Sequence, residues 1–167
     1  RLSGLDNIPT TDTLSPNNYL LQAWSLFGSG RRTEYALGLR MGVTPQMEAT
    51  VDNGRLAPSP AGDTLFGVKY RLSRDGQPLS YAVGDGGIGA GNDNPFVVVS
   101  NQFQGFRGHL GYRIPEGDHG FFAGADRWMS KELLIRGDLV QINDGNDLLS
   151  SVGFVGLGKG GSIIEGW

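Results

Sequence analysis

The stretch Tyr35-Ala36-Leu37-Gly38-Leu39-Arg40-Met41-Gly42-Val43 decides how the rest of the chain is read. Tyr35, Leu37, Leu39, Met41 and Val43 fall on one side of an extended backbone. Glu34, Ala36, Gly38, Arg40 and Gly42 fall on the other. Successive side chains of a strand point to opposite faces, so this unbroken alternation predicts a β-strand with one apolar and one polar face.

The same pattern recurs on both sides of that strand. Met47, Ala49 and Val51 oppose Glu48, Thr50 and Asp52. Phe66, Val68, Tyr70 and Leu72 oppose Gly67, Lys69, Arg71 and Ser73. Leu79, Tyr81 and Val83 oppose Ser80, Ala82 and Gly84. Phe106, Leu110, Tyr112 and Ile114 oppose Arg107, His109, Gly111 and Arg113, and Leu133, Ile135 and Leu139 oppose Glu132, Arg136 and Asp138. Residues 19–28, 95–103 and 148–157 are strand-like in composition. They carry apolar residues on both faces, so alternation does not orient them. Residues 1–18 are polar, hold Pro9 and Pro16, and read as an extended arm or plug ahead of a β-barrel over 19–167.

Composition agrees. The 167 residues include 28 glycines, too many for a helical protein because Gly is costly inside a helix. The glycines have no collagen-like period and sit between apolar runs, as turns and tight strand contacts require. The net charge is −3, no block of five like charges occurs, and Arg31-Arg32 is the one adjacent basic pair, so a nucleic-acid surface has no support. The absence of cysteine excludes disulfides and thiolate metal sites. No charged-then-apolar leader follows Arg1, as expected where a signal peptide has been removed or was never there. No apolar run reaches the ~18–20 residues of a membrane helix. If the chain spans a membrane, it must do so as a closed barrel.

The connections alternate in length. Short ones are expected near 44–45, 74–77, 104–105, 129–131 and 158–161, with Asp75-Gly76 a strong hairpin signal. Longer or more polar ones are expected near 29–32, 54–62, 85–94, 115–119 and 143–147. Gly160–Trp167 is left over, as a further strand or part of the last one. Alternating short turns and long loops predict an all-β, up-and-down antiparallel barrel of transmembrane type, with about ten strands (8–12). Alternation alone does not say whether the apolar face meets lipid or a soluble core. Two features favour lipid. The polar face is built from Gly, Ala and charged residues. Tyr19, Phe27, Phe66, Phe96, Phe103, Phe106, Phe121 and Trp128 lie near strand ends, in the manner of two aromatic girdles. The alternative is a soluble barrel that encloses a small apolar ligand.

Gly4-Leu5-Asp6-Asn7-Ile8-Pro9-Thr10 followed by Thr13-Leu14 resembles the start of YjbH-like outer-membrane proteins linked to exopolysaccharide export. The order that follows is also similar. Val43-Thr44-Pro45-Gln46-Met47-Glu48 is succeeded by Phe66–Leu72, Ala82-Val83-Gly84-Asp85, Val97-Val98-Val99-Ser100 and His109-Leu110-Gly111-Tyr112. The chain is much shorter than members of that family and would correspond to one barrel-like portion. The resemblance implies an outer-membrane barrel with an envelope role, and it transfers no catalytic residues.

Few residues invite chemistry. Gly84–Asn94 contains Gly-x-Gly spacings, but no helix follows to make a dinucleotide site. It also half-resembles a Ca²⁺-binding nonapeptide repeat, with Gly91 where that repeat has Asp, and an outer loop is the reading. Asp85, Asp93, Asp144 and Asp147 offer oxygen donors for a hard cation. Asn, Asp and Gly are also default turn residues, so Asn143–Asp147 reads as a turn and no metal or cofactor is expected. Ser100 and His109 face each other across the 104–105 turn only in one registry. No Gly-x-Ser-x-Gly elbow is present, and an outer-membrane lipid hydrolase ranks third. His109 is expected to bond a neighbouring carboxylate. Arg136-Gly137-Asp138 lies mid-strand, unsuited to loop-tip recognition.

The expectation is a non-enzymatic bacterial outer-membrane barrel that anchors or assists envelope assembly. Glu34, Arg40, Glu48, Lys69, Arg71, Arg113, Arg136 and Asp138 would form a lumenal charge network that closes it. At about ten strands the interior barely exceeds what side chains fill, so a general diffusion pore is not expected. Its partners would be membrane lipid and, through the outer loops at 54–62 and 85–94, envelope proteins or polysaccharide.

Overall fold

A computed structural model describes residues 9–26, 34–54, 64–88, 93–114, 119–142, 147–157 and 163–166. Eleven strands follow in chain order. They are β1 (Tyr19–Leu26), β2 (Glu34–Thr44), β3 (Met47–Gly54), β4 (Thr64–Arg71), β5 (Leu79–Ile88), β6 (Pro95–Gln102), β7 (Arg107–Arg113), β8 (Gly120–Trp128), β9 (Leu133–Ile142), β10 (Asp147–Leu157) and β11 (Ile163–Gly166). They form one sheet in which each strand pairs antiparallel with the next, in the order β1 to β11. There is no helix and no second sheet among the described residues. The leftover tail supplies β11, which pairs with the end of β10.

The three stretches that alternation left unoriented become β1, β6 and β10. Pairing settles their faces. Ser100 lies opposite His109, Val98 opposite Gly111, and Ser151 opposite Asp138. Their neighbours Val97 and Val152 then point the other way and are exposed.

The connections at 44–47 and 103–106 are tight. Asp75-Gly76 sits at a turn tip, with Gly76 at φ +80°, in the left-handed region that favours glycine. The hairpin around it is longer than two residues, because Tyr81 N–H bonds Ser73 Oγ at 3.1 Å and Leu72 N–H bonds the Tyr81 carbonyl at 2.9 Å. The loop expected at 85–94 is shorter than its composition suggests. β5 continues through Ile88, Asp85 pairs with both Val68 and Pro95, and Asn94 N–H caps Asp85 Oδ1 at 3.0 Å. Strand ladders join backbone to backbone, so a Gly-rich run can extend a strand whose neighbours are already in place.

The two faces differ in polarity, in the opposite sense to a water-soluble sheet. One carries Leu21 (73% exposed), Leu37, Leu39, Val51, Phe66, Tyr81, Leu110 and Val152 (74% exposed). The other buries Glu48 (1% exposed), Lys69, Ser100, His109, Asp126, Arg136 and Asp138. An apolar cluster of Ala82, Val98, Phe122 and Val140 lies on that same buried face. Phe96, expected in an outward girdle, packs against this cluster instead. Its even position in β6 puts it on the side of Val98 and Ser100. Phe27 lies outside the described residues. A Cβ at Gly111 would run into the Phe122 ring, so the glycine makes room for the largest buried side chain.

Candidate functional site

The buried polar face is organised around the arm, residues 9–18. Thr10, Thr11 and Asp12 are buried there. Pro9 and Pro16 deny the segment the donors of a regular ladder, so side chains and isolated amides dock it. Thr13 Oγ1 donates to the Pro45 carbonyl at 2.9 Å, and Leu14 N–H to Glu48 Oε2 at 3.0 Å. At Gly42 the backbone of Leu14 and Ser15 comes so close that a Cβ would collide with it. Asn17 and Asn18 then pair with Gly42 and lead into β1.

Thr11 and Asp12 begin and end a circuit of hydrogen bonds across four strands. Thr11 Oγ1 lies 2.6 Å from Ser80 Oγ, and Ser80 Oγ donates to the Ser100 carbonyl at 3.3 Å. Thr11 N–H donates to Ser100 Oγ at 3.3 Å. Ser100 Oγ lies 2.7 Å from His109 Nδ1, and His109 Nε2 lies 3.0 Å from Asp126 Oδ2. Arg107 bonds Asp126 Oδ2 at 2.7 Å and reaches Asp12 Oδ2 at 2.6 Å.

The proton directions follow from the acceptors. An ionised Asp126 only accepts, so His109 donates from Nε2. In the tautomer that carries its proton on Nε2, Nδ1 accepts from Ser100, whose oxygen accepts in turn from Thr11 N–H. Ser80 spends its proton on the Ser100 carbonyl, so Thr11 donates to Ser80. Each of these buried groups is thereby satisfied, as buried polar groups must be.

Ser100, His109 and Asp126 line up with the hydrogen-bond directions of a nucleophilic triad. The ring is turned over relative to the usual serine arrangement, with Nδ1 toward the hydroxyl. Ser100 is 1% exposed and covered by Thr11. In this arrangement the hydroxyl links the arm to the sheet and meets no open space.

No protein-family model, no curated protein and no solved structure matches this chain.

The expected charge network divides into parts. Glu48 and Lys69 form a buried pair at 3.5 Å between β3 and β4. Arg40 is half-buried on the same face of β2. Arg71 bonds Asp75 Oδ1 at 2.5 Å and the Pro45 carbonyl at 2.7 Å. Arg113 bonds the Gln141 carbonyl at 3.0 Å. Arg136 and Asp138 are buried in β9, and Asp138 accepts from Ser151 at 2.8 Å. The side chain of Glu34 lies outside the described residues. Of the four cation candidates, Asp144 also lies outside them. Asp147 and Asp93 are exposed, Asp85 caps the β5–β6 connection, and no three metal-ligating side chains come together among the described residues.

Sequence reasoning placed Arg107 and His109 on the polar face and missed Asp12 and Asp126. Asp126 carries a legible signal. It stands at the same parity as Phe122 in β8, and both point inward. Asp12 had none, because an irregular arm has no period to read.

Proposed function

We propose that the sheet closes on itself as a barrel in the bacterial outer membrane, with its apolar face in lipid and its charged face in a sealed lumen. The observation that carries this is the inverted polarity of the two faces. Charges such as those of Glu48, Lys69, Arg136 and Asp138 cannot be buried on an open single-layer sheet. Curvature of the sheet around its polar face would supply the missing cover. Closure would also remove the free edges of the sheet, as a bilayer demands; β11 covers only the Phe154–Leu157 end of β10, so an even-numbered antiparallel closure would bring β1 to the uncovered half of β10. The exposed apolar side chains form a patch far beyond the few hundred Å² that a water-soluble monomer tolerates. Aromatic pairs stand near opposite ends of the outer face, Phe103 stacked on Phe106 and Tyr112 edge-on to Phe121, as two interfacial girdles do.

With arm, ion pairs and Phe122 inside, the barrel is an anchor or assembly element of the envelope and neither a pore nor an enzyme. The short turns at 44–47, 74–77 and 103–106 would face the periplasm with the arm. The resemblance to YjbH-like proteins adds exopolysaccharide export as the process served. The soluble alternative needs the apolar face turned inward, and its exposure weighs against that. Flotation of the refolded chain with lipid vesicles tests the reading. Co-flotation, with aggregation when detergent is withdrawn, is expected. A monodisperse chain that ignores vesicles would sink it.

The hydrolase reading draws support from one observation, the Ser100–His109–Asp126 line-up. A fluorophosphonate that labels the folded chain but not Ser100→Ala would favour it over the structural role.

A further inference from the structure

The polar face opens at its turn end into a cavity of about 230 Å³ that the sealed lumen does not require. Arg71 from the end of β4, Arg74 from the β4–β5 turn and Arg107 from the start of β7 line it, with Gln77 and Gln102. Asp12 and Asp126 together outweigh the charge of Arg107, so a positive field in the cavity comes from Arg71 and Arg74 alone. One further carboxylate competes, that of Asp75, which also lines the cavity. Its side chain is 73% exposed, and such pairs contribute little. Arg71 Nε is buried and finds no hydrogen-bond partner among the described residues.

We propose that this cavity binds a small tetrahedral oxyanion of the phosphate class. The two guanidiniums come from different segments of chain, and each offers a planar fork of donors suited to phosphate oxygens. Gln77 adds an amide donor at the wall, whereas Gln102 spends its amide protons on the Phe103 and Phe106 carbonyls. The volume falls below the ~300–1,000 Å³ of sites for drug-sized ligands, which limits the ligand to one phosphate and little more. The inference concerns the turn end alone and stands whether or not the apolar face meets lipid.

The test is a titration with inorganic phosphate, using the full chain folded in maltoside micelles, or in buffer if it proves soluble. The Arg71 Nε–H resonance is expected to shift and its exchange to slow. Arg74→Gln lies on an exposed turn and leaves the fold intact. It should weaken binding by about tenfold, the scale of one charged hydrogen bond. Arg127→Gln removes an exposed charge that does not line the cavity and should leave binding unchanged. An Arg71 resonance that ignores phosphate overturns the proposal, with one exception. If phosphatidylglycerol vesicles move it where free phosphate and phosphatidylcholine do not, the phosphate is that of a lipid headgroup. Equal weakening by Arg74→Gln and Arg127→Gln also overturns it, since that is the behaviour of diffuse charge.

Discussion

The two faces of this sheet share every strand and differ by one residue of phase. The exposed face carries Leu37, Leu39, Leu110 and Val152, apolar side chains whose interactions are non-directional. The inner face has Glu48 on Lys69, Arg107 between Asp12 and Asp126, and Ser100 on His109, each held by geometry. The difference teaches what substitutions report. A change on the inner face measures whether a partner is left behind. A change on the outer face measures the solvent. A slip of one residue in register would exchange the faces, so the register that pairs Ser100 with His109 also keeps Leu110 outside.

The largest effect is expected from Lys69→Met. Glu48 then loses the buried cation at 3.5 Å, and breaking a buried pair in this way costs about 3–5 kcal/mol. Adding Glu48→Gln should recover much of that loss, because the stranded charge is gone. Denaturant titration of the two variants checks it, and a double variant no better than the single would mean that the pair is not the cause. Next comes Leu110→Arg, at the centre of β7 and 58% exposed. In water an exposed site of this kind changes stability by no more than about 0.5 kcal/mol. At mid-depth in a bilayer the same arginine costs about 2–4 kcal/mol. Unfolding from vesicles separates the two, and a neutral outcome would take the outer face out of lipid. Gly111→Ala should follow, at about 1–3 kcal/mol, since the added methyl meets both the Phe122 ring and the Val97 carbonyl of β6, and both must give way.

The sheet was legible wherever one face was polar. Tyr35–Val43, Met47–Asp52 and Phe66–Leu72 each state their own phase, and β2, β3 and β4 follow it. Legibility failed where both phases are apolar. In β6, Phe96 and Val98 point in while Val97 points out, and only the pairing with Gly111 and Tyr112 shows it. The candidate site was half legible for a related reason. Arg107 and His109 lie in a strand of clean alternation, whereas their carboxylates come from β8, with its inward Phe122, and from an arm without a period. Which charges meet is a matter of register between strands, and a single strand's pattern does not contain it.

The smallest effect should come from the arm, where the two kinds of holding meet. Asp12→Asn keeps the shape and one acceptor facing Arg107 but removes the charge, and Arg107 retains Asp126. The loss is that between a charged and a neutral hydrogen bond, about 1 kcal/mol. It falls on the docking of the arm and leaves the strand ladders alone. Hydrogen exchange reads such local opening directly. The amides of Thr11 and Leu14, which donate to Ser100 and Glu48, should exchange about fivefold faster. The amides of β6 and β7 should keep their protection. If strand and arm amides accelerate together, the arm is part of the folding unit, and Asp12 stabilises the sheet as much as it is held by it. If neither changes, Pro16, the Gly42 contact and the Thr11 bonds hold the arm without the ion pair, and the circuit can be cut at Asp12 without consequence.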